Sequence, residues 1–502
     1  MKRPLRKIRL LSLICGSLSV AVVLSSCGSN AAFDAPQEAP RIETALNATD
    51  HPLVARFTIQ VSTPASVHVE FGPDTSYGRS TSAKGILQGG DSVEILVAGM
   101  KPATAYHMRA VVDSAGQTYT SPDHTFTTGQ PPVEFIPQAV VTQSGTPSPG
   151  VELLNMTVPN GVYQAVVLDL DGSLLWYYAH DQRLGFPYPI RPMPSGNMLI
   201  VIGTQLMREV DLAGTTIREL TPQSVNESLA SAGSPIRITG FHHEALPLEN
   251  GKIIVLCEEQ RNVVLSGDST PTLIRGDVLI ELDQDFHPGW TWTGFDHLDV
   301  NHHPMDIEDW THGNGLLYSP EDGALLVSLR NVHWVVKINY ENGAGDGSVL
   351  WRLGPEGDIT LLNGDQMEWF YGQHFPTFAE KENSKTRLAI FDNRATNQPG
   401  TTCASETDQC YSRAVIFEID EVAKTASVIW ENKLTLYSLW GGNIQAIGDK
   451  VEYLLSNPFP GLGSRISEID RATKQPVWQM DIAGQLAYRG YRIPSLYPGV
   501  QW

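Results

Sequence analysis

The sequence predicts an all-β protein, a six-bladed β-propeller preceded by a small β-sandwich. Three observations lead there. From residue 150 onward one unit recurs six times: an apolar β run closing on an acidic or polar residue, a turn, and a strand that usually carries Trp. The copies run Val166–Asp169 to Trp176, Met207–Asp211 to Leu220, Val278–Asp283 to Trp290 and Trp292, Val335–Asn339 to Trp351, Val415–Asp420 to Trp430, and Ile466–Asp470 to Trp478. A hairpin of this kind cannot bury both faces alone, and radial stacking lets each unit cover the next. The uneven gaps fit loops on one face of a ring better than a solenoid's tight period. Residues 40–129 carry a separate set of short strands between Gly and Pro turns. No stretch with a 3.6-residue apolar period competes with the strand reading.

Taken in order, the chain opens on Lys2, Arg3, Arg6, Lys7 and Arg9, then the apolar run Leu10–Leu24. That is the pattern of an export signal, and the run is short for a spanning helix. Leu24-Ser25-Ser26-Cys27 resembles a bacterial lipobox. On that reading residues 1–27 are a lipoprotein signal, and Cys27 is lipidated and anchors the exported chain to a cell membrane. It would face the periplasm or the cell surface, with inner or outer membrane left open. An ordinary signal peptide is the alternative. Residues 28–39 are small, polar and Pro-containing, as a tether should be.

Residues 40–129 give strands at Val54–Gln60, Ser66–Phe71, Ser92–Val97, Ala105–Val112 and Thr118–Thr127. Met100-Lys101-Pro102-Ala103-Thr104-Ala105-Tyr106, followed by Arg109-Ala110, resembles the Tyr-corner strand of fibronectin type III modules. There the Tyr hydroxyl bonds back to nearby backbone. No site is visible in this module, and a spacer or docking role follows. Residues 130–149 have a Pro-rich linker composition. Residues 150–502 make up the propeller. Within it Cys403 and Cys410 lie seven apart in a polar loop and, in an oxidising compartment, read as a local disulfide. Cys257, inside an apolar run, reads as a buried thiol.

Formal net charge is −20, from 35 basic and 55 acidic residues. Loss of the leader's five basic residues leaves 30 against 55, or −25. That balance repels phosphate backbones and argues against nucleic acid as a partner. It leaves room for a local cationic pocket.

The candidate chemistry begins at Asp309-Trp310-Thr311-His312-Gly313-Asn314. The turn Pro320-Glu321-Asp322-Gly323 and the strand Ala324–Leu329 follow, ending at Arg330. Imidazole, amide and guanidinium on one strand pair suit an anion. Further histidines fall between repeats: His242-His243-Glu244 before a strand, His302-His303 in an insertion read as solvated rim, and His374 after Gly372-Gln373. Inner strands of a propeller converge on one channel, so His243, His312, Asn314, Arg330 and His374 are candidates to meet there. Tyr488, Arg489, Tyr491 and Arg492 near the C-terminus either reach the channel mouth or belong to the strand that closes the ring, and the second reading is preferred. Trp310, Trp369, Phe370, Tyr371, Tyr437 and Trp440 are either an aromatic funnel or blade core. There is no Ser elbow, P-loop or dinucleotide fingerprint. A metal site is one reading of the histidines, but the pool includes an Arg and lacks a His-Glu-x-x-His helix. An anion-transfer site is the other: one neutral imidazole attacks, others move protons, and Arg and Asn cover the oxygens.

His-His-Glu before a strand, Asp-Trp-Thr-His-Gly-Asn, Ser-Leu-Arg sixteen residues after Asn314, Gly-Gln-His and Phe391-Asp392-Asn393-Arg394 together resemble the bacterial arylsulfate sulfotransferase family over nearly all of residues 150–502. The resemblance implies an exported six-bladed propeller that moves a sulfuryl group from an aryl sulfate to a phenol, without a nucleotide donor. It implies ping-pong chemistry through a sulfohistidine, with His374 as nucleophile and His312, Asn314, Arg330 and a further His as the surrounding shell. His243 is that further residue, with His242 as the competing register. The family's loop disulfide would match Cys403 with Cys410. No metal or diffusible cofactor is needed. Phenolic sulfates and phenols are the implied partners, and self-association into a homo-oligomer is left open. The rival reading is a non-catalytic surface lipoprotein whose propeller binds a protein or glycan.

Overall fold

Strict alternation of apolar and polar residues shapes the first part of the chain. In Ala55–Val61 every second side chain is buried, as a strand with one wet face requires. It pairs with Ile42–Ala48 and Ser92–Val97 in a three-stranded sheet. A second sheet is built on Ala65–Gly72 and Ala105–Ser114, with short partners at Arg79–Ser80, Lys84–Ile86, Gln117–Thr120 and His124–Thr127. Phe57, Ile59, Val69, Phe71 and Met108 from the two sheets share one core. The Tyr106 hydroxyl accepts the Lys101 backbone N–H at 2.9 Å. The computed structural model describes residues 39–157, 162–363, 368–380, 385–394, 411–434, 436–456 and 463–502. The export leader with Cys27 and the loop holding Cys403 and Cys410 lie outside the described residues.

Six antiparallel sheets follow. Sheet I joins Val151–Thr157, Tyr163–Leu168 and Leu174–Tyr178 to the C-terminal strand Leu486–Ile493. Sheet II runs Pro187–Pro192, Met198–Ile202, Leu206–Val210 and Thr216–Leu220. Sheet III runs Ile238–Pro247, Ile253–Val263, Thr272–Leu282 and Pro288–Thr293. Sheet IV runs Gly313–Ser319, Ala324–Leu329, Trp334–Ile338 and Val349–Leu353. Sheet V runs His374–Phe378, Thr386–Asp392, Arg413–Asp420 and Thr425–Lys433, with Thr360–Leu361 added in parallel. Sheet VI runs Asn443–Ile447, Lys450–Ser456, Ser464–Asp470 and Pro476–Ile482. Its outer edge is extended by Ala139–Gln143, so part of the segment with linker composition is a strand.

Middle strands such as Met198–Ile202 and Ala324–Leu329 are buried on both faces. Sheets stacked on two sides explain this, and explain why these runs are continuously apolar. The first strands of sheets II to VI lie beside one another in sequence order, and Leu486–Ile493 lies beside the first strand of sheet VI. The repeat tryptophans fasten neighbouring sheets. Trp176 of sheet I donates its indole N–H to Leu212 O at 2.8 Å, and Trp292 of sheet III to Gly347 O at 3.0 Å. Trp351 of sheet IV donates to Glu421 at 3.0 Å, and Trp430 of sheet V to Arg471 O at 2.9 Å. Trp478 of sheet VI reaches Leu170 O of sheet I at 2.9 Å. The second repeat has Leu220 in place of Trp, and Arg218 over the Phe286 ring at 3.9 Å bridges sheets II and III there.

Residues 40–502 form one compact unit. The N-terminal sheets dock through His51 Nε2 on Tyr177 O at 2.9 Å and Arg79 on Asp169 at 3.0 Å. The C-terminal tail clasps them: Tyr497 takes the Ala98 N–H at 2.7 Å and donates to Leu96 O at 2.8 Å. Trp502 lies edge-on to Phe71 and beneath the Arg79 guanidinium. Cys257 is a buried free thiol, its pKa raised well above the ordinary thiol value by burial.

Candidate active site

The first strands of the sheets are interrupted where their functional residues sit. Pairing skips Tyr188 in sheet II, His242 to Glu244 in sheet III, Asn314 in sheet IV, Phe375 in sheet V, and Tyr488 in the C-terminal strand of sheet I. A bulge leaves a residue outside the ladder and re-aims its side chain. The backbone is strained at these points, since His243 has φ 45°, His312 has φ 49° and Phe375 has φ 31°, a region L residues rarely adopt.

The predicted histidines lie in or beside these irregular segments and come together. The His243 ring lies 4.9 Å from the His312 ring and 5.4 Å from the Tyr488 ring. His374 lies 5.8 Å from Tyr488 on another side. Tyr188 packs against both His243 and Tyr488, and Trp440 stacks on Tyr488. His243, and not His242, faces this cluster. His242 turns behind it, with Nε2 in an ion-pair contact 2.9 Å from Asp277 Oδ1 and Nδ1 3.0 Å from His243 Nδ1.

His374 is almost fully buried. Asn393 Nδ2 donates to Ser438 O at 2.9 Å and Gly441 O at 3.0 Å, which fixes its amide. Its Oδ1 therefore accepts from His374 Nδ1–H, at 2.7 Å. The proton is thus on Nδ1 and the lone pair on Nε2, which takes only a long contact of 3.2 Å from the Gly441 N–H. Burial first, then the Arg330 charge, holds the His374 pKa well below the ordinary imidazole value. His243 is likewise held neutral by burial and by His312. His312 bonds Asp309 at 2.6 Å through Nδ1, and Asp309 also lies 3.3 Å from Arg275. Arg330 is half-buried and touches Asn331 Oδ1 at 2.7 Å. Among the described residues no carboxylate pairs with it. Burial lowers its pKa, and an arginine stays cationic even so.

Asn314 is fully buried, and its Nδ2 donates to Gln373 O at 2.7 Å, one residue before His374. Its amide thus fastens the strand that carries His374. Arg489 lies beneath the cluster. It donates to Glu244 at 2.7 Å and to the Tyr491 hydroxyl at 2.9 Å, and it also bonds Asn314 O. Arg191 grips the same Glu244 at 2.9 and 2.8 Å. Two guanidinium groups on one carboxylate leave an excess positive charge below the histidines.

Asn393, Tyr488 and Arg489 join this cluster although none is among the residues expected to carry the chemistry. Asn393 stands in a quoted motif without a role, and Tyr488 and Arg489 read as ring-closing strand, which they also are. Of the aromatic candidates, Trp310, Trp369 and Phe370 are core, whereas Trp440 flanks the site. The Tyr437 hydroxyl is buried without a hydrogen-bond partner among the described residues and lies in the field of Arg330. His302 is not a free rim residue, because it stacks on Trp334 at 4.1 Å.

The strands thus gather the His243, His312 and His374 rings with Tyr188 and Tyr488 into one cluster, an arrangement of side chains suited to an anion. The profile described as Arylsulfotransferase (ASST) matches residues 139–492. The chain belongs to the arylsulfotransferase family, a family of sulfotransferase enzymes. A search of curated proteins gives no match. Solved structures with similar sheets include dihydro-heme d1 dehydrogenase NirN in complex with DHE (11% identity, 70% of this chain and 80% of that chain covered, TM-score 0.31). They also include the periplasmic gluconolactonase PpgL of Pseudomonas aeruginosa (11%, 69% and 100%, TM-score 0.37) and Sqt1 of Saccharomyces cerevisiae (9%, 66% and 85%, TM-score 0.29). Likenesses of this degree carry no argument about activity.

Proposed function

We propose that this protein transfers a sulfuryl group from an aryl sulfate to a phenol through a sulfohistidine at His374. The observation that carries the reading is the Asn393–His374 pair beside Arg330: a neutral imidazole of fixed tautomer, its Nε2 lone pair held only by the Gly441 N–H at 3.2 Å, next to a cation with no carboxylate partner among the described residues. Nε2 attacks sulfur and the S–O bond to the aryl group breaks, its electron pair leaving on the phenolate oxygen. Arg330 covers the charge on the sulfuryl oxygens. His312 or His243 gives the phenolate its proton. An acceptor phenol then loses its proton to the same residue and attacks sulfur, restoring His374. Asn314 holds the His374 strand, a positioning role in place of the oxygen clamp its family motif implies. Arg489 and Arg330 both oppose protonation of His374.

The six sheets are proposed as the blades of one propeller. Support comes from the side-by-side first strands and from the tryptophan bonds, which run from sheet VI back to sheet I. The N-terminal sheets are proposed as a fibronectin type III-like module, on the strength of the Tyr106 hydroxyl bond to Lys101. Lipidation at Cys27, export to the membrane surface and a Cys403–Cys410 disulfide complete the proposal from sequence alone.

The test is to incubate the purified protein with a chromogenic aryl sulfate, with and without phenol. Phenol-dependent chromophore release that is lost in His374→Asn is expected. Without phenol, the peptide holding His374 should gain the mass of one SO3. A label on another residue, or undiminished turnover in the variant, refutes the mechanism.

A further inference from the structure

His242 sits between Asp277 and His243 and takes no part in the scheme above. Asp277 is fixed on both sides of its own residue: its Oδ2 accepts the Gly313 N–H at 2.7 Å, and its backbone N–H donates to Thr311 Oγ1 at 3.0 Å. Its Oδ1 lies at an ion-pair distance of 2.9 Å from His242 Nε2, off the alignment of a hydrogen bond. The two Nδ1 atoms of His242 and His243 are 3.0 Å apart. Two lone pairs at that distance repel, so one proton lies between them. We infer that Asp277, His242 and His243 form a proton relay that makes His243 the acid and base of the proposed sulfuryl transfer, on which this inference rests.

The need for a relay is chemical. A neutral imidazole that gives up its only N–H becomes an imidazolate, so alone it is a very poor acid. A cationic His243 is opposed by burial, His312, His242, Arg489 and His374. His242 has the opposite surroundings. Burial works against its charge, but Asp277 and then Glu258 outweigh it and raise its affinity for a proton. The buried Cys257 thiol also lies behind it, and Asp309, Tyr188 and Tyr488 are the other titratable groups around the pair.

The proton count closes. In the first half-reaction His243 Nε2–H passes to the departing phenolate while His242 Nδ1–H passes to His243 Nδ1. His242 ends neutral, with its remaining proton toward Asp277. In the second half-reaction the acceptor phenol gives its proton to His243 Nε2, and the proton on His243 Nδ1 returns to His242. His243 stays neutral throughout, and the positive charge is stored at His242, beside its carboxylate. His242 and Asp277 are positioning residues that act through His243.

The test measures His374 sulfurylation in single turnovers of the full protein, using 4-nitrophenyl sulfate and phenyl sulfate. An activated nitrophenolate departs with little help, whereas phenolate, with a pKa of about 10, needs a proton. In His242→Gln and Asp277→Asn the rate with phenyl sulfate should fall by about 100-fold or more, the scale of general acid catalysis. With 4-nitrophenyl sulfate it should fall by less than about tenfold. Equal losses with both donors, as a packing defect would give, overturn the relay, and so does no loss with either. The same donor dependence in His312→Gln, absent from both relay variants, assigns the acid to the Asp309–His312 pair and also overturns it. Failure of wild-type His374 to be labelled by either donor removes sulfuryl transfer itself, and the relay with it.

Discussion

His374 illustrates how a single side chain acquires a chemical direction from its neighbours. Asn393 has both amide hydrogens committed to carbonyls and can offer His374 only an acceptor. In Asn393→Ala the ring is free to take the other tautomer, and the rate of His374 sulfurylation should drop by about 100-fold with the fold intact. The pH dependence follows from the same surroundings. Protonation removes the attacking lone pair, and the His374 pKa lies well below 6.5. Single-turnover labelling should therefore stay level as pH falls through 6.5 and decline only well below it. The linkage has a definite sign. Unfolded histidines take up protons near 6.5, whereas buried His243 and His374, and His333 with its pKa lowered to about 4, do not. The unfolded state then binds more protons, so these groups make the protein less stable as pH drops below 6.5. A thermal midpoint that rises on acidification from 7 to 5 contradicts that. The sequence makes His243, His312, Arg330 and His374 visible, because imidazole and guanidinium are scarce and stand between repeats. It hides Asn393, since an amide beside a strand looks like any turn residue, and Tyr488, since a tyrosine on a C-terminal strand looks like core.

At the scale of elements, strand type was legible and strand irregularity was not. Apolar runs closing on Asp or Asn, with a following Trp, mark the repeats well because the tryptophan indole spans to the next sheet and must recur wherever two sheets meet in that way. Trp478→Ala removes that bond to Leu170 and opens a cavity between sheets VI and I. The expected cost is about 3–5 kcal/mol, read as a lower thermal midpoint, and the Leu220 position should tolerate substitution far better. Bulges leave no such trace. Tyr188, His243, Asn314, Phe375 and Tyr488 leave the ladder one strand at a time, and each exit is fixed by packing with a different sheet. Alternation within a single strand cannot report it. The linker reading of residues 130–149 fails at Ala139–Gln143 for a related reason. Its partner, Pro476–Ile482, lies more than 300 residues away in the chain.

At the scale of the molecule, the N-terminal sheets and the large unit are one body, joined by a shared apolar core and by polar contacts around it. His51 bonds Tyr177, and Arg79 bridges Asp169 and the tail residue Trp502. Trp502→Ala should loosen the clasp without touching the histidine cluster. The expected result is faster proteolysis within residues 128–138 and unchanged turnover, and lost turnover would show that the module shapes the site. The proposed anchor has its own check: Cys27→Ser should move the protein from the membrane fraction to the soluble one. The overall division into a small strand module and a large repeated unit was legible because composition changes abruptly near residue 130. Their docking was not, because its apolar core and contacts such as His51 to Tyr177 and Tyr497 to Ala98 join residues far apart in the chain.

Sheet I is completed by a strand from the other end of the chain. Leu486–Ile493 supplies Tyr488 and Arg489, so the chemistry has no floor and no aromatic wall until almost the last residues have been made and have folded back on Val151–Thr157. Under the proposed function an incomplete chain therefore lacks part of its site however many sheets have already formed. Pairing across more than 300 positions is slow to find. A chain that lacks the last strand lacks both Tyr488 and Arg489, and under the proposed function it should show no sulfuryl transfer.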